Sequence, residues 1–336
     1  MIIPRNATPS RSRYRTVPVV TRSGQRHQGF TLVELLVSVA LAVLVLSGLA
    51  QIYAASKKSF EIQTTLSRVQ DTARYAFDII SDDLRRAGYW GMLDMQTAIA
   101  NGNLSGDVPP NGSCPSSNNS WGLMVRRRLF GLNESSTGYR CITEHRAGTD
   151  VLVVRYASAE THNPNFDIVG RSYLFAAALE AQVGTAPLPF PRPLSDTITG
   201  YHHLRAHAYY VTKAHGTGGQ PRSCEGVQIP ALAREHLSSI GFPQREELVT
   251  GVEQLQVLYG VDSDGDGIAN QYQNADGVAD WNQVAAVRFW LLVRDECPES
   301  GYTDPVTTYV MGDKNYTPSQ TAFRRYLYSG TVALRN

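Results

Sequence analysis

From residue 30 the chain is apolar almost without interruption, reading FTLVELLVSVALAVLVLSGLAQIY over 30–53, with Glu34 its single charge. About 20 such residues cross a bilayer core as a helix. The run predicts a membrane span. Behind it, Ser59 to Arg86 holds no Pro or Gly, and apolar residues recur at Ile62, Leu66, Val69, Ala73, Phe77, Ile80 and Leu84. Spacings of three and four place them on one stripe. Glu61, Arg68, Asp71, Arg74, Asp78, Asp82 and Arg85 fill the other faces, and Gly88 supplies a stop. The pattern therefore predicts one helix from Phe30 to Ala87, roughly 85 Å long at 1.5 Å per residue. Its transmembrane half is 30–53 and its amphipathic half 54–88.

After this helix the period changes to two. Val151 to Tyr156 reads as a buried strand. Leu204, Ala206, Ala208 and Tyr210 alternate with His203, Arg205, His207 and Tyr209. Leu255, Val257, Tyr259 and Val261 alternate with Gln254 and Gln256, and Val287, Phe289, Leu291 and Val293 with Arg288 and Arg294. Tyr326, Tyr328, Val332 and Leu334 close the chain. Strands separated by loops, with few helical patterns, predict an antiparallel sheet. Residues 101–120 and 184–200 read as loops on composition. The fold class expected is α+β: a long amino-terminal helix packed on an antiparallel β-sheet domain spanning 89–336.

Charge fixes the topology. The net charge of +1 argues neither for nucleic acid nor for a strongly acidic partner, and nucleic acid is not an expected partner. Residues 1–29, however, hold Arg5, Arg11, Arg13, Arg15, Arg22 and Arg26 and no acidic residue. Such a segment has nothing to bury and is expected to be disordered. Only Lys57 and Lys58 closely follow the span, so the amino end is expected in the cytoplasm and the body outside it. Two other readings compete for the apolar run. A secretory signal would have a shorter apolar core ended by small residues, which Ser47–Ala50 imitates. A buried core helix would need a very large protein around it.

All four cysteines, Cys114, Cys141, Cys224 and Cys297, follow the span. Outside the cytoplasm an even number points to disulfides, and with no CxxC pair zinc is disfavoured. Three pairings exist. Cys114–Cys141 and Cys224–Cys297 are favoured, because the first closes one polar loop and the second ties late strands.

Gly29-Phe30-Thr31-Leu32-Val33-Glu34-Leu35-Leu36 resembles the class III signal of type IV prepilins and pseudopilins. Gly29 gives a protease access to the backbone and interrupts the helix. Cleavage between Gly29 and Phe30 would leave a Phe30 amine, N-methylated in the family, four residues from Glu34 and on the same helical face. An intramembrane carboxylate is costly and usually paired, so Glu34 is the expected assembly residue. Within this superfamily the chain resembles PilW-type minor pilins. The segments that carry the likeness are Gln70–Phe77, Asp82–Tyr89, Val257–Asp262, Trp281 with Val287–Arg294, and Thr331–Asn336. The resemblance implies a pilin-like fold with a cleaved leader over 1–29. It implies a non-enzymatic subunit that helps prime or assemble type IV pili, near the tip, supporting twitching motility and adhesion.

The implied partners are a prepilin peptidase, other minor pilins, the major pilin, the inner membrane and a tip adhesin. The implied location is a single inner-membrane pass in a Gram-negative bacterium, amino end in and body out, and then the pilus and cell surface. The 29-residue leader is longer than is typical of the family. A type II secretion pseudopilin is the first alternative, and a calcium-dependent adhesive module at a pilus tip the second.

Other constellations add little. His202, His203, His207 and His215 imitate a metal cluster, but His203 and His207 lie about 13 Å apart along a strand, so a half-exposed polar face is the expectation. Arg126, Arg127 and Arg128 read as a solvated edge. No nucleophile elbow, Walker loop or HExxH motif occurs. Residues 262–270, DSDGDGIAN, do match the first half of a calcium loop. Asp262, Asp264, Asp266, the Ile268 carbonyl and Asn270 are the candidate ligands, with calcium the one candidate cofactor. Position twelve is Gln273 in place of Glu, so Asp276 or Asp280 would have to fold back. The alternative is a plain Asp- and Gly-rich turn.

Overall fold

The computed structural model describes residues 29–91, 127–136, 142, 144–162, 168–177, 181–186, 199–238 and 243–334. Helix α1 spans Leu32–Arg86, and the chain forms two units, Met1–Ser59 and Phe60–Asn336. In the first unit every large apolar side chain from Leu32 to Tyr53 is exposed. Among the described residues this is the one helix long and apolar enough to cross a membrane. A core helix of a water-soluble protein would bury one such face.

The second unit begins within α1. Val69, Ala73, Ala76, Ile80 and Leu84 are buried, while Glu61, Arg68, Asp71, Arg74, Asp78, Asp82 and Arg85 stay exposed. The stripe runs as the spacing predicts, with Ile62, Leu66 and Phe77 half-buried at its margins. The helix ends two residues before Gly88, whose φ of +79° supplies the left-handed turn. Gly88 N–H then donates to the Arg155 carbonyl at 3.0 Å, which fastens the helix end to the sheet.

In chain order the strands are β1 (Leu129–Leu132), β2 (Val151–His162), β3 (Ser172–Ala177), β4 (Ala181–Thr185), β5 (Thr199–Lys213), β6 (Ser223–Cys224), β7 (Val227–Gln228), β8 (Pro230–Leu237), β9 (Pro243–Thr250), β10 (Val252–Val261), β11 (Gln271–Gln273), β12 (Val284–Arg294), β13 (Tyr309–Met311), β14 (Lys314–Tyr316) and β15 (Arg325–Ala333). A seven-stranded sheet has the order β1-β2-β5-β3-β4, with β8 and then β9 continuing from β5. A four-stranded sheet has the order β11-β10-β12-β15. Ladders are antiparallel throughout, including β2–β5, β10–β12 and β12–β15. This is the expected α+β pilin-like architecture.

One residue carries the chain from the first sheet to the second. Gly251, between β9 and β10, has φ +91°. Its N–H donates to Pro230 O at 2.7 Å and its carbonyl accepts from Arg294 N–H at 2.9 Å. A Cβ there would sit 2.7 Å from the Arg294 carbonyl oxygen, and positive φ already favours glycine. Asp150, just before β2, adds a second link. Its N–H donates to Leu255 O at 2.9 Å, and its carboxylate accepts from Val257 N–H at 2.7 Å and Glu134 N–H at 2.8 Å. Burial outweighs these bonds and pushes its pKa up to about 7.

The main core lies where α1 and both sheets meet. Leu152, Val154 and Tyr209 come from the first sheet and Val257, Phe289 and Leu291 from the second. Phe77 stacks on Phe289 at 4.6 Å and meets Tyr328 edge-on at 4.9 Å. Gly330 of β15 lies under the Phe77 ring with no room for a Cβ.

The strand alternation picks the faces of β10, β12 and β15 turned to this core, but on β5 it is Tyr209 that faces the core, while Ala206, Ala208 and Tyr210 pack in a separate cluster with Val151 and Val153. The opposite faces of β10 and β12 are not solvated either. Gln254 and Gln256 are buried, the latter donating to Gly148 O at 3.0 Å. Arg294 is buried too, its guanidinium 3.8 Å from the Phe323 ring. Beside it Glu253 accepts from Arg325 Nε at 2.7 Å and Tyr316 O–H at 3.1 Å. Segments 144–150 and 295–324 lie over this second face, and a charge is tolerated there because it is paired.

Candidate functional site: the processing region, the acidic loop and the helix–sheet joint

The expected cleavage residues lie just outside α1. Gly29 and Phe30 are non-helical and exposed, and Gly29 has open space where a side chain would stand. Thr31 is also outside the helix, yet its carbonyl accepts the first helical bond, from Leu35 N–H at 3.1 Å. Its hydroxyl accepts from Glu34 N–H at 3.2 Å, and Glu34 Oε2 accepts in return from Thr31 N–H and the Thr31 hydroxyl, both at 3.0 Å. This is a reciprocal capping box. Glu34 is thus hydrogen-bonded to Thr31 in the uncut chain, before any Phe30 amine exists. Sequence reasoning missed Thr31, although the Thr-x-x-Glu spacing before an apolar run carries the signal.

The acidic loop joins β10 to β11, so it is a strand–loop–strand, as its flanks predict. Tyr259 pairs with Gln273 and Val261 with Gln271 beneath it. Gly265 and Gly267 have φ of +79° and +86°. These turns let the Asp262 carboxylate accept from Gly265 N–H at 2.7 Å and Gly267 N–H at 2.8 Å. The Gly267 N–H foremost holds the Asp262 pKa below the usual range. Asn270 donates to Asp264 at 3.1 Å and accepts from Ser263 N–H at 2.6 Å.

Asp262, Asp264 and Asp266 each bring a carboxylate oxygen within 4.8 Å of the others. They line an open depression with Asn282 and Gln283. The residues weighed for closing the loop are engaged elsewhere. Gln273 lies against Gly277, Asp276 accepts from Asn133 at 3.2 Å, and Asp280 caps the turn at Trp281–Gln283.

Cys224 and Cys297 form a disulfide with Cα atoms 5.1 Å apart, in agreement with the favoured pairing. Around it Glu296 accepts from Arg222 at 3.1 Å and from Thr250 at 2.5 Å. Cys114 and Cys141 lie outside the described residues.

The structure also gathers a site that the sequence reading did not assign. Asp83, on the buried stripe of α1, is 4 % exposed. Its carboxylate accepts from Tyr156 O–H at 2.6 Å, from Tyr209 O–H and from His207 Nδ1–H. Burial raises the Asp83 pKa, but the bond and charge of His207, with the two tyrosines, outweigh it and hold the group at about 2. His207 is therefore a buried partner of the helix, which corrects the half-exposed reading. The other histidines have separate partners. His202 donates to Ser158 O at 2.8 Å, His203 lies against the Tyr173 ring, and His215 is 3.0 Å from Glu144.

The arginine triplet is likewise no solvated edge in its described part. Arg128 is half-buried and donates to Val284 O at 3.0 Å, and Arg127 lies over the Phe130 ring. Arg126 falls outside the described residues.

Residues 208–336 match the family model described as Type IV Pilus-assembly protein W, and residues 24–50 match the prokaryotic N-terminal methylation motif. Neither a curated protein nor a solved structure matches the chain.

Proposed function

We propose that this chain, which matches a PilW-type pilin with a prepilin motif, helps prime or assemble type IV pili near the tip, supporting twitching motility and adhesion. The matches support a type IV pilus-related minor pilin and a structural component of the filament. A prepilin motif implies processing by prepilin peptidase and a pilus system with other pilins at the inner membrane. The observation that carries the reading is α1: exposed and apolar at its start, with one carboxylate at Glu34, and continuous with a stripe buried in a β-rich body. Such a helix is suited to lie first in lipid and then among like helices, its polar group satisfied at each stage.

In this reading the peptidase cuts between Gly29 and Phe30, Phe30 is methylated, and the new amine pairs with Glu34. The amino end starts in the cytoplasm of a Gram-negative cell, and the body crosses to the periplasm and then to the surface. A type II secretion pseudopilin would share the processing but not the filament. The test is mass spectrometry and immunoblotting of sheared pili. Wild-type chain should be present with methylated Phe30 first, and Glu34→Ala should insert in the membrane yet be depleted from pili. Glu34→Ala at wild-type level in pili would refute the pairing. Full-length Met1-initiated chain in those pili would refute the processing.

The acidic loop favours a second property, calcium binding by Asp262, Asp264 and Asp266 with the Ile268 carbonyl and Asn270. Three carboxylates this close repel unless a cation lies among them, and Asp262 keeps acceptor capacity beyond its two backbone bonds. Because no bidentate Glu closes the loop, the expected Kd is about 10⁻⁴ M or weaker. Calcium would stiffen the β10–β11 connection near an adhesive tip. Calorimetric titration of the full chain in detergent should show binding that Asp264→Ala abolishes. An identical heat for both proteins would make the loop a turn and no more.

A further inference from the structure

We infer that Thr31 is a positioning residue for leader removal: its capping box with Glu34 starts α1 at Leu32 and so keeps the Gly29–Phe30 bond extended for the peptidase. The inference rests on the proposed processing at that bond. Hydrolysis there adds water across the peptide bond, leaving a Gly29 carboxylate and a Phe30 amine. A protease must hold the backbone around such a bond in an extended form, and a helical turn hides it.

The neighbouring sequence offers little to stop the helix by itself. Gly29 breaks the helix one residue further out, but that leaves Phe30 free to enter it, and Phe30 is not a capping residue. What stops it is local. The Glu34 N–H, which one more helical turn would direct at the Phe30 carbonyl, is taken instead by the Thr31 hydroxyl. The Thr31 N–H is taken by the Glu34 carboxylate. With both donors satisfied, Phe30 gains nothing from entering the helix, and Gly29 and Phe30 stay non-helical and exposed. Remove the hydroxyl, and the Glu34 N–H recovers its best acceptor only if Thr31's replacement turns helical and Phe30 becomes the cap. The scissile bond then abuts the first turn.

Because the change alters the population of the competent form and leaves the chemistry alone, it should appear in KM while kcat holds. Loss of a threonine cap predicts about a fivefold fall in kcat/KM. The experiment is cleavage of the full chain by prepilin peptidase in detergent, comparing wild type, Thr31→Val and Thr31→Ser, with the product amino terminus read by mass spectrometry. Expected are a raised KM for Thr31→Val, wild-type behaviour for Thr31→Ser, and equal membrane insertion and thermal unfolding for all three. Wild-type kinetics in Thr31→Val, or a Thr31→Ser protein as slow as Thr31→Val, would overturn the inference while leaving the cleavage reading intact. A wild-type chain not cut after Gly29 would overturn both.

Discussion

Asp83→Ala is expected to lower the unfolding free energy by about 3–5 kcal/mol, since it leaves buried partners without their shared acceptor. Three groups lose it together: the Tyr156 and Tyr209 hydroxyls and His207. Two of them belong to a strand more than a hundred residues away, so the loss loosens the end of α1 from the seven-stranded sheet. Asp83→Asn keeps one carbonyl oxygen and the side-chain volume, and should lose less. Denaturant unfolding of the full chain in detergent measures both. A loss below about 1 kcal/mol for Asp83→Ala would mean that the joint contributes no more than an ordinary surface contact.

The same carboxylate sets an acid limit. Its folded pKa of about 2 lies below the ordinary 3.8. The stabilisation is thus complete above the ordinary value and is lost as pH falls from there through about 2. In Asp83→Ala this part of the acid dependence should vanish.

Breaking the Cys224–Cys297 disulfide is expected to cost about 4 kcal/mol on a chain-entropy estimate. The bond closes a separation of 73 residues that includes β8, β9, β10 and β12. It therefore ties the β6–β7 ladder to the end of β12, near where Gly251 passes the chain between sheets. Arg222 and Thr250 bonded to Glu296 hold the same corner without the sulfur bridge, so the double Cys→Ser protein should still fold, with a lower denaturation midpoint. Equal midpoints for oxidised and reduced protein would show that those contacts suffice.

Much of this was legible in the sequence where one rule acted alone. The apolar run, the helical stripe to Leu84, the buried run Val151–Tyr156 and the strands expected around Leu204, Leu255, Val287 and Tyr326 all appear near their expected positions. Gly29, Glu34 and the three aspartates sit in motifs whose spacing is itself the geometry. Strands β8 and β9 were not legible. Pro230–Leu237 opens on Pro and runs Arg, Glu and His together, and Pro243–Thr250 is mostly polar, so neither shows a clear period of two. Both are strands because β5 supplies a ladder for β8 and β8 one for β9. Tertiary context overrides weak propensity there. Arg294, Gln254 and His207 read as outward because alternation assigns faces without revealing whether another layer covers them. Asp83 was hidden for a related reason. Its neighbours Asp78 and Asp82 are solvated, and only its place three residues after Ile80 marks it as inward.

The position of β15 has a consequence in time. The ring of Phe77 lies over Gly330 and against Tyr328, so one face of α1 is covered by a strand far along the chain from it. A chain without β15 keeps the Phe77–Phe289 stack but loses the Gly330 and Tyr328 side of that packing. Closing this side of the helix is therefore a long-range contact, whose loop-closure cost must be met before the contact rewards it, so it belongs to the late steps of folding.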